Sequence, residues 1–127
     1  MDNNHKILVI DDDAAVRHSL QWLLESAGHW VTTYHSAGAF LDDLDHCITA
    51  PASACLIVDM QMPDMNGLAL QHILAHHYPC LPIIFISSYA DEQQVEQALT
   101  TGAIAFLTKP FNDAVLLAYI QEIFESD

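Results

Sequence analysis

Short apolar runs that recur between amphipathic stretches limit this chain to a narrow choice of folds. Lys6–Ile10, Trp30–Tyr34, Ala54–Val58, Pro82–Ile86 and Ile104–Thr108 are each about five residues long and rich in β-branched or aromatic side chains. Several are apolar throughout instead of alternating, the pattern of strands buried on both faces. The intervening segments carry helical spacing. Asp13–Ala27 places Val16, Leu20, Leu23 and Leu24 on one side, and Gly28 ends it. Ser36 suits the cap of a helix bearing Phe40, Leu41 and Leu44. Asp64-Met65-Asn66-Gly67 is turn chemistry leading into a short helix, Leu68–His76. Asp91 is placed to cap Glu92–Thr101, with Val95, Ala98 and Leu99 inward and Gly102 as the stop. Asn112 is placed to cap a last helix carrying Leu116, Tyr119, Ile120 and Ile123. Apolar strands separated by helices predict an α/β fold: a doubly wound, five-stranded parallel sheet with five helices.

Composition narrows the function. The 127 residues suffice for one domain spanning 1–127, and 52% hydrophobic content excludes a disordered acidic tail. No apolar run approaches the ~20 residues of a membrane span. The first residues, Met1 to Lys6, lack the layout of a signal peptide. An odd number of cysteines without metal-finger spacing fits a reducing cytoplasm. The formal charge of −14 would repel phosphate backbones and anionic lipid, so neither nucleic acid nor membrane is expected as a direct partner.

In a doubly wound sheet the ligand site lies beyond the C-terminal ends of the strands. The first run ends in Asp11-Asp12-Asp13, the third in Asp59, the fourth in Ser87-Ser88 and the fifth in Thr108-Lys109-Pro110. Like charges at 4 Å repel by about 4 kcal/mol at an effective dielectric of about 20. Asp11, Asp12 and Asp59 together carry −3 and Lys109 returns +1, which leaves room for one divalent cation. All-oxygen donors favour Mg²⁺. A hard cation and an ammonium beside a free carboxylate suit phosphoryl transfer, with Asp59 as the nucleophile.

These residues carry a resemblance. Ile7–Asp13, Val58-Asp59-Met60-Gln61-Met62-Pro63-Asp64-Met65-Asn66-Gly67, Ser87 and Lys109-Pro110-Phe111 occur in one order, each closing an expected strand. The chain resembles the CheY-like receiver domain of two-component response regulators, most of all the FixJ/NarL-type (LuxR-family) regulators. The resemblance implies a flavodoxin-like sheet in the order 2-1-3-4-5. It implies that Asp59 accepts a phosphoryl group from a sensor histidine kinase or phosphotransfer protein. Mg²⁺, with Mn²⁺ as a substitute, would be held by Asp12, Asp59 and the backbone carbonyl of Gln61, and by Asp11 through water. Lys109 would pair with Asp59 and then with a phosphoryl oxygen, and Ser87 would engage another. Phe106 matches an aromatic switch position, and the Lys109–Pro110 bond is expected to be cis. The face made by helix 4, strand 5 and helix 5 would then change, and control of transcription would run through a DNA-binding domain outside this chain. Ser88 stands where the family usually has Ala or Gly. Together with Gln61 and Tyr89 it is expected to modulate access to the acyl phosphate, and Tyr89 to lengthen its lifetime.

Plainer readings compete at single positions. Asp13 reads as a helix-start residue, and Phe106 could serve only as core. His72 and His76 are four apart with His77 adjacent, a zinc-compatible spacing, but no third ligand is evident and a solvated face is the simpler reading. Cys55 reads as core, Cys47 and Cys80 as free thiols, and Trp22 and Trp30 as packing residues remote from Asp59. Arg17, His18, Gln21 and Trp22 are candidate kinase contacts by the resemblance. Lys109 is the only cation after Ala90, so a phosphorylation-induced homodimer would need an apolar face. Two other functions are weighed: a docking module independent of phosphorylation, and a haloacid-dehalogenase-like phosphatase, whose motif Asp11-Asp12-Asp13-Ala14-Ala15 matches poorly.

Overall fold

The computed structural model describes residues 5–44, 54–89 and 91–125. Strands and helices alternate: β1 (Lys6–Ile10), α1 (Ala14–Ser26), β2 (Trp30–Tyr34), α2 (Ala37–Asp42), β3 (Ala54–Asp59), α3 (Gly67–His77), β4 (Ile83–Ser87), α4 (Glu92–Thr101), β5 (Ala105–Thr108) and α5 (Asp113–Glu125). All neighbouring strands run parallel, in the order β2-β1-β3-β4-β5. This is the five-stranded, doubly wound architecture expected from the apolar runs.

The two-residue period of a strand divides the core. Leu8, Ile10, Leu56, Val58 and Phe85 face one side and pack with Phe40, Leu70, Leu74 and Ala98. Ile7, Val9, Cys55, Ile57, Ile84 and Ile86 face the other and pack with Leu20, Leu24, Leu116 and Ile120. Both faces are therefore covered by helices, and neither leaves room for alternation with polar residues. Burial of this kind pushes the Cys55 thiol up to about 12, so it behaves as an inert core residue.

The helix starts follow the capping logic. Asp13 accepts from Ala15 N, Ser36 from Ala39 N, Asn66 from Ala69 N, Asp91 from Gln93 N and Asn112 from Ala114 N. Gly28 and Gly102, at φ 96° and 121°, end α1 and α4. Gly67 is required by crowding: a Cβ there would meet the Phe85 ring at 2.7 Å. That close approach lets Gly67 N donate to Met60 O at 2.8 Å and folds the loop after Asp59 back onto the sheet.

Three expectations about packing need correction. Trp22 and Trp30 are 71% and 65% exposed, not packed. Trp22 stands beside the Leu20–Leu24 stripe instead of on it, and Trp30 opens the edge strand β2, which has no neighbouring strand on its outer side among the described residues. Leu99 is also exposed, because α4 rests on the sheet through Ala98 and a half-buried Val95, and the next residue turns away by about 100°. Cys47 lies outside the described residues.

Candidate functional site

β1 and β3 are adjacent parallel strands; Asp11 follows the last residue of β1 and Asp59 is the last of β3, at the same sheet edge. Asp11 is fully buried and held on every side. Its N–H donates to Tyr34 O at 3.1 Å. Its Oδ1 accepts from Asp13 N at 2.9 Å, and its carbonyl accepts from Arg17 Nη1 at 2.7 Å. Its Oδ2 accepts from Lys109 Nζ at 2.9 Å. Asp59 is also buried, but less committed. Its Oδ1 accepts from Gln61 N at 3.1 Å, and its Oδ2 lies 3.6 Å from Lys109 Nζ. Asp12 is exposed at the rim.

Asp11, Asp12 and Asp59 each present an oxygen within 4.8 Å of the others, the only such three-donor group of His, Cys, Asp or Glu among the described residues. His72 and His76 stack edge-to-face, with rings 5.6 Å apart, on the exposed side of α3 and belong to no such group. The crowding of the carboxylates has an electrostatic signature. Burial, then the charge of Asp11, pushes the Asp59 carboxyl up to about 6, against the pull of the Gln61 N–H and Lys109, and Asp12 adds to the rise. Burial alone would lower the Lys109 ammonium, but its hydrogen bond to Asp11 and the charges of Asp11 and Asp59 outweigh that and raise it. An all-carboxylate cluster that burial and mutual repulsion leave electrostatically unfavourable is a fitting donor set for a hard divalent cation.

β4 and β5 bring in the remaining groups. Lys109 N donates to Ser87 O at 2.7 Å, and the Lys109–Pro110 bond is cis. The Ser87 hydroxyl is fully buried, 3.0 Å from Gln61 Oε1 and 2.7 Å from Tyr89 O, and it accepts from Tyr89 N at 3.1 Å. Ser88 and Tyr89 are exposed at the mouth. Phe106 is half-buried on β5, its ring centroid 6.3 Å from that of Phe85.

Beside the cluster runs a groove of about 850 Å³ between α1 and the loop after β5, lined by Val16, Trp22, Leu23 and Phe111, with Lys109 and Ser88 at one end. Two supporting contacts escaped the sequence reading. Arg17 fixes the Asp11 carbonyl, and its position one turn into α1 was the only signal. Asp64 accepts from Gly38 N at 2.9 Å and ties the loop after β3 to α2, a pairing across 26 residues that no local pattern announces.

Comparison with known proteins agrees with this geometry. The family described as response regulator receiver domain matches residues 7–121. The chain is 42% identical over 115 residues to the transcriptional regulatory protein TdiR of Thauera aromatica, which covers 91% of this chain and 49% of that protein. It is 39% identical to the transcriptional regulatory protein FixJ of Bradyrhizobium diazoefficiens, covering 91% of this chain and 54% of FixJ. The chain thus spans about half the length of the curated relatives it matches. The crystal structure of FixJ-N superposes with a TM-score of 0.84 at 31% identity, covering 98% of this chain and 96% of that one.

Proposed function

Because the chain belongs to the response regulator receiver domain family of two-component signalling, we propose that Asp59 accepts a phosphoryl group from a phosphohistidine on a sensor histidine kinase or phosphotransfer protein. The observation that carries this reading is the unequal commitment of the two buried carboxylates. Both oxygens of Asp11 are hydrogen-bonded, whereas among the described residues Asp59 Oδ2 has only the longer contact to Lys109. Asp59 Oδ2 is therefore the free nucleophile of the cluster. With its carboxyl at about 6, Asp59 is mostly ionised at neutral pH.

In the reaction an Asp59 oxygen forms the new O–P bond while the N–P bond of the phosphohistidine breaks, and the departing imidazole takes up a proton. Asp12, Asp59 and the Gln61 carbonyl are the residues to hold Mg²⁺ or Mn²⁺, with Asp11 acting through water. The cation supplies charge neutralisation on the transferring phosphoryl group. Lys109 already sits between Asp11 and Asp59, so a short movement takes its ammonium to a phosphoryl oxygen. Ser87 donates to a second oxygen. Movement of the β4 loop then gives Phe106 space to turn inward and alters the face of α4, β5 and α5.

The groove suits the approach of the phosphodonor, since its lining includes both Trp22 on α1 and Lys109, the ammonium that contacts Asp11 and Asp59. Leu99, Ile104 and Val115 are exposed apolar residues of α4, the lead into β5, and α5. They fit an apolar homodimer contact in a region whose only cation is Lys109. The output we infer is control of transcription through a DNA-binding domain outside this chain, in line with the transcriptional regulatory relatives. Among the described residues no helix is long and apolar enough to cross a membrane. Incubation with acetyl phosphate and Mg²⁺ followed by intact mass measurement tests the reading: the wild type gains one phosphoryl group and Asp59→Asn gains none. Labelling that persists in Asp59→Asn would overturn it.

A further inference from the structure

We propose that Gln61 is a positioning residue whose side-chain amide holds the Ser87 hydroxyl in the resting domain and must release it before that hydroxyl can reach a phosphoryl oxygen on Asp59. The inference rests on the phosphoacceptor reading and adds a gate to it. A serine hydroxyl has one proton. Here the Ser87 oxygen lies 3.0 Å from Gln61 Oε1 and 2.7 Å from Tyr89 O, while it accepts from Tyr89 N at 3.1 Å. The hydroxyl is therefore fully engaged by two loops, the one after β3 and the one after β4. It is also fully buried, so water is excluded as a ready replacement partner. Any phosphoryl oxygen arriving on Asp59 enters as a competitor for a proton already in use.

Gln61 holds both parties to the event. Its N–H donates to Asp59 Oδ1 at 3.1 Å, and its side chain reaches Ser87 across 26 residues. Reorientation of Asp59 on phosphorylation thus disturbs the residue that restrains Ser87. The latch opens without a large penalty, because Gln61 is exposed and its released amide is rehydrated at once. A neutral hydrogen bond exchanged with water sets the scale at a three- to tenfold bias toward the resting arrangement. The same contact makes Gln61 more than a bulky neighbour of the acyl phosphate. A side chain of equal length without the amide should remove the share of the restraint that Gln61 supplies and leave the Tyr89 carbonyl as the remaining acceptor.

The test is calorimetric titration of the whole chain with beryllofluoride in saturating Mg²⁺, using wild type, Gln61→Met, Ser87→Ala and the double variant. Methionine keeps the length of glutamine and the backbone carbonyl of residue 61, and removes the amide. Gln61→Met is expected to bind the phosphate mimic about three- to tenfold more tightly than wild type, and to make less than a twofold difference when Ser87 is already alanine. In ¹⁵N–¹H spectra of the unliganded variant, the Ser87 and Tyr89 amide signals are expected to move toward their positions in the beryllofluoride-bound wild type. Equal affinities for wild type and Gln61→Met, or an equal gain in the Ser87→Ala background, overturn the latch and leave the phosphoacceptor reading standing. A wild type that binds no beryllofluoride in Mg²⁺ overturns both.

Discussion

Lys109 Nζ lies 2.9 Å from Asp11 Oδ2 but 3.6 Å from Asp59 Oδ2. The ammonium is thus anchored by Asp11 and leans toward Asp59, the proposed phosphoacceptor. Without Lys109, Asp11 and Asp59 would repel across a buried gap with no ammonium between them. Lys109→Ala is expected to lower stability by about 2 kcal/mol, less than for a fully buried pair because the lysine is partly exposed, and to abolish labelling by acetyl phosphate. Urea denaturation and intact mass measure the two effects.

The raised Asp59 carboxyl makes a signed prediction about pH. Its folded value is about 6, above the ~3.9 of an unfolded aspartate, so the folded state binds the extra proton between those limits. Stability attributable to Asp59 is therefore full below about pH 4, falls as pH rises to about 6, and stays low above it. Asp59→Asn removes this dependence. Without divalent metal, the variant should gain up to about 3 kcal/mol on the wild type between pH 4 and pH 7. Millimolar Mg²⁺ should raise the wild-type Tm and leave that of Asp59→Asn nearly unchanged. Thermal melts across pH, with and without Mg²⁺, check both statements.

Gly67 is where the site depends on packing beneath it. A methyl group there would press on the Phe85 ring at 2.7 Å and on the Met60 backbone at 3.1 Å, the second of these being the residue after Asp59. Gly67→Ala should cost about 2 kcal/mol in urea denaturation and slow phosphorylation by displacing the loop that carries Gln61.

Much of this site could be read from the chain because each of its groups ends an apolar run. Asp11, Asp59, Ser87 and Lys109 stand where β1, β3, β4 and β5 stop or have just stopped, and a parallel sheet gathers such positions on one edge. Ser36, Asp91 and Asn112 announced their helices because capping is a local hydrogen bond. The preference of Lys109 for Asp11 was not visible, since it depends on differences of less than an ångström between groups 98 residues apart. The Asp64–Gly38 bond was hidden for the same reason. The exposure of Trp22, Trp30 and Leu99 does not follow from their apolar character, because helix phase and strand order decide it.

Ser88 and Tyr89 are exposed at the mouth of the cleft, and Ser88 lines the groove beside Lys109. Tyr89→Ala should shorten the lifetime of the acyl phosphate several-fold by opening a path for water. Ser88→Ala should change the rate of labelling by acetyl phosphate without altering stability. Decay of the phosphorylated mass after rapid removal of acetyl phosphate separates the two; an unchanged lifetime in Tyr89→Ala would mean that the ring shields nothing.

The two tryptophans lie on different elements, Trp22 on α1 and Trp30 at the start of β2, which makes them separate reporters. Trp30 pairs with Lys6 at the start of β1 and β2, away from the carboxylates that close the strands. Trp22 is 71% exposed and lines the same groove as Lys109 and Ser88. A shift of the lysine toward a phosphoryl group changes the charge and shape of that groove, and indole emission responds to both. Addition of beryllofluoride in Mg²⁺ is therefore expected to change the fluorescence of the wild type. The change should persist in Trp30→Phe and vanish in Trp22→Phe, while calorimetry shows that both variants still bind the mimic. A signal carried by Trp30 instead would mean that rearrangement reaches the far end of the sheet, and that Lys109 is not what moves beside Trp22.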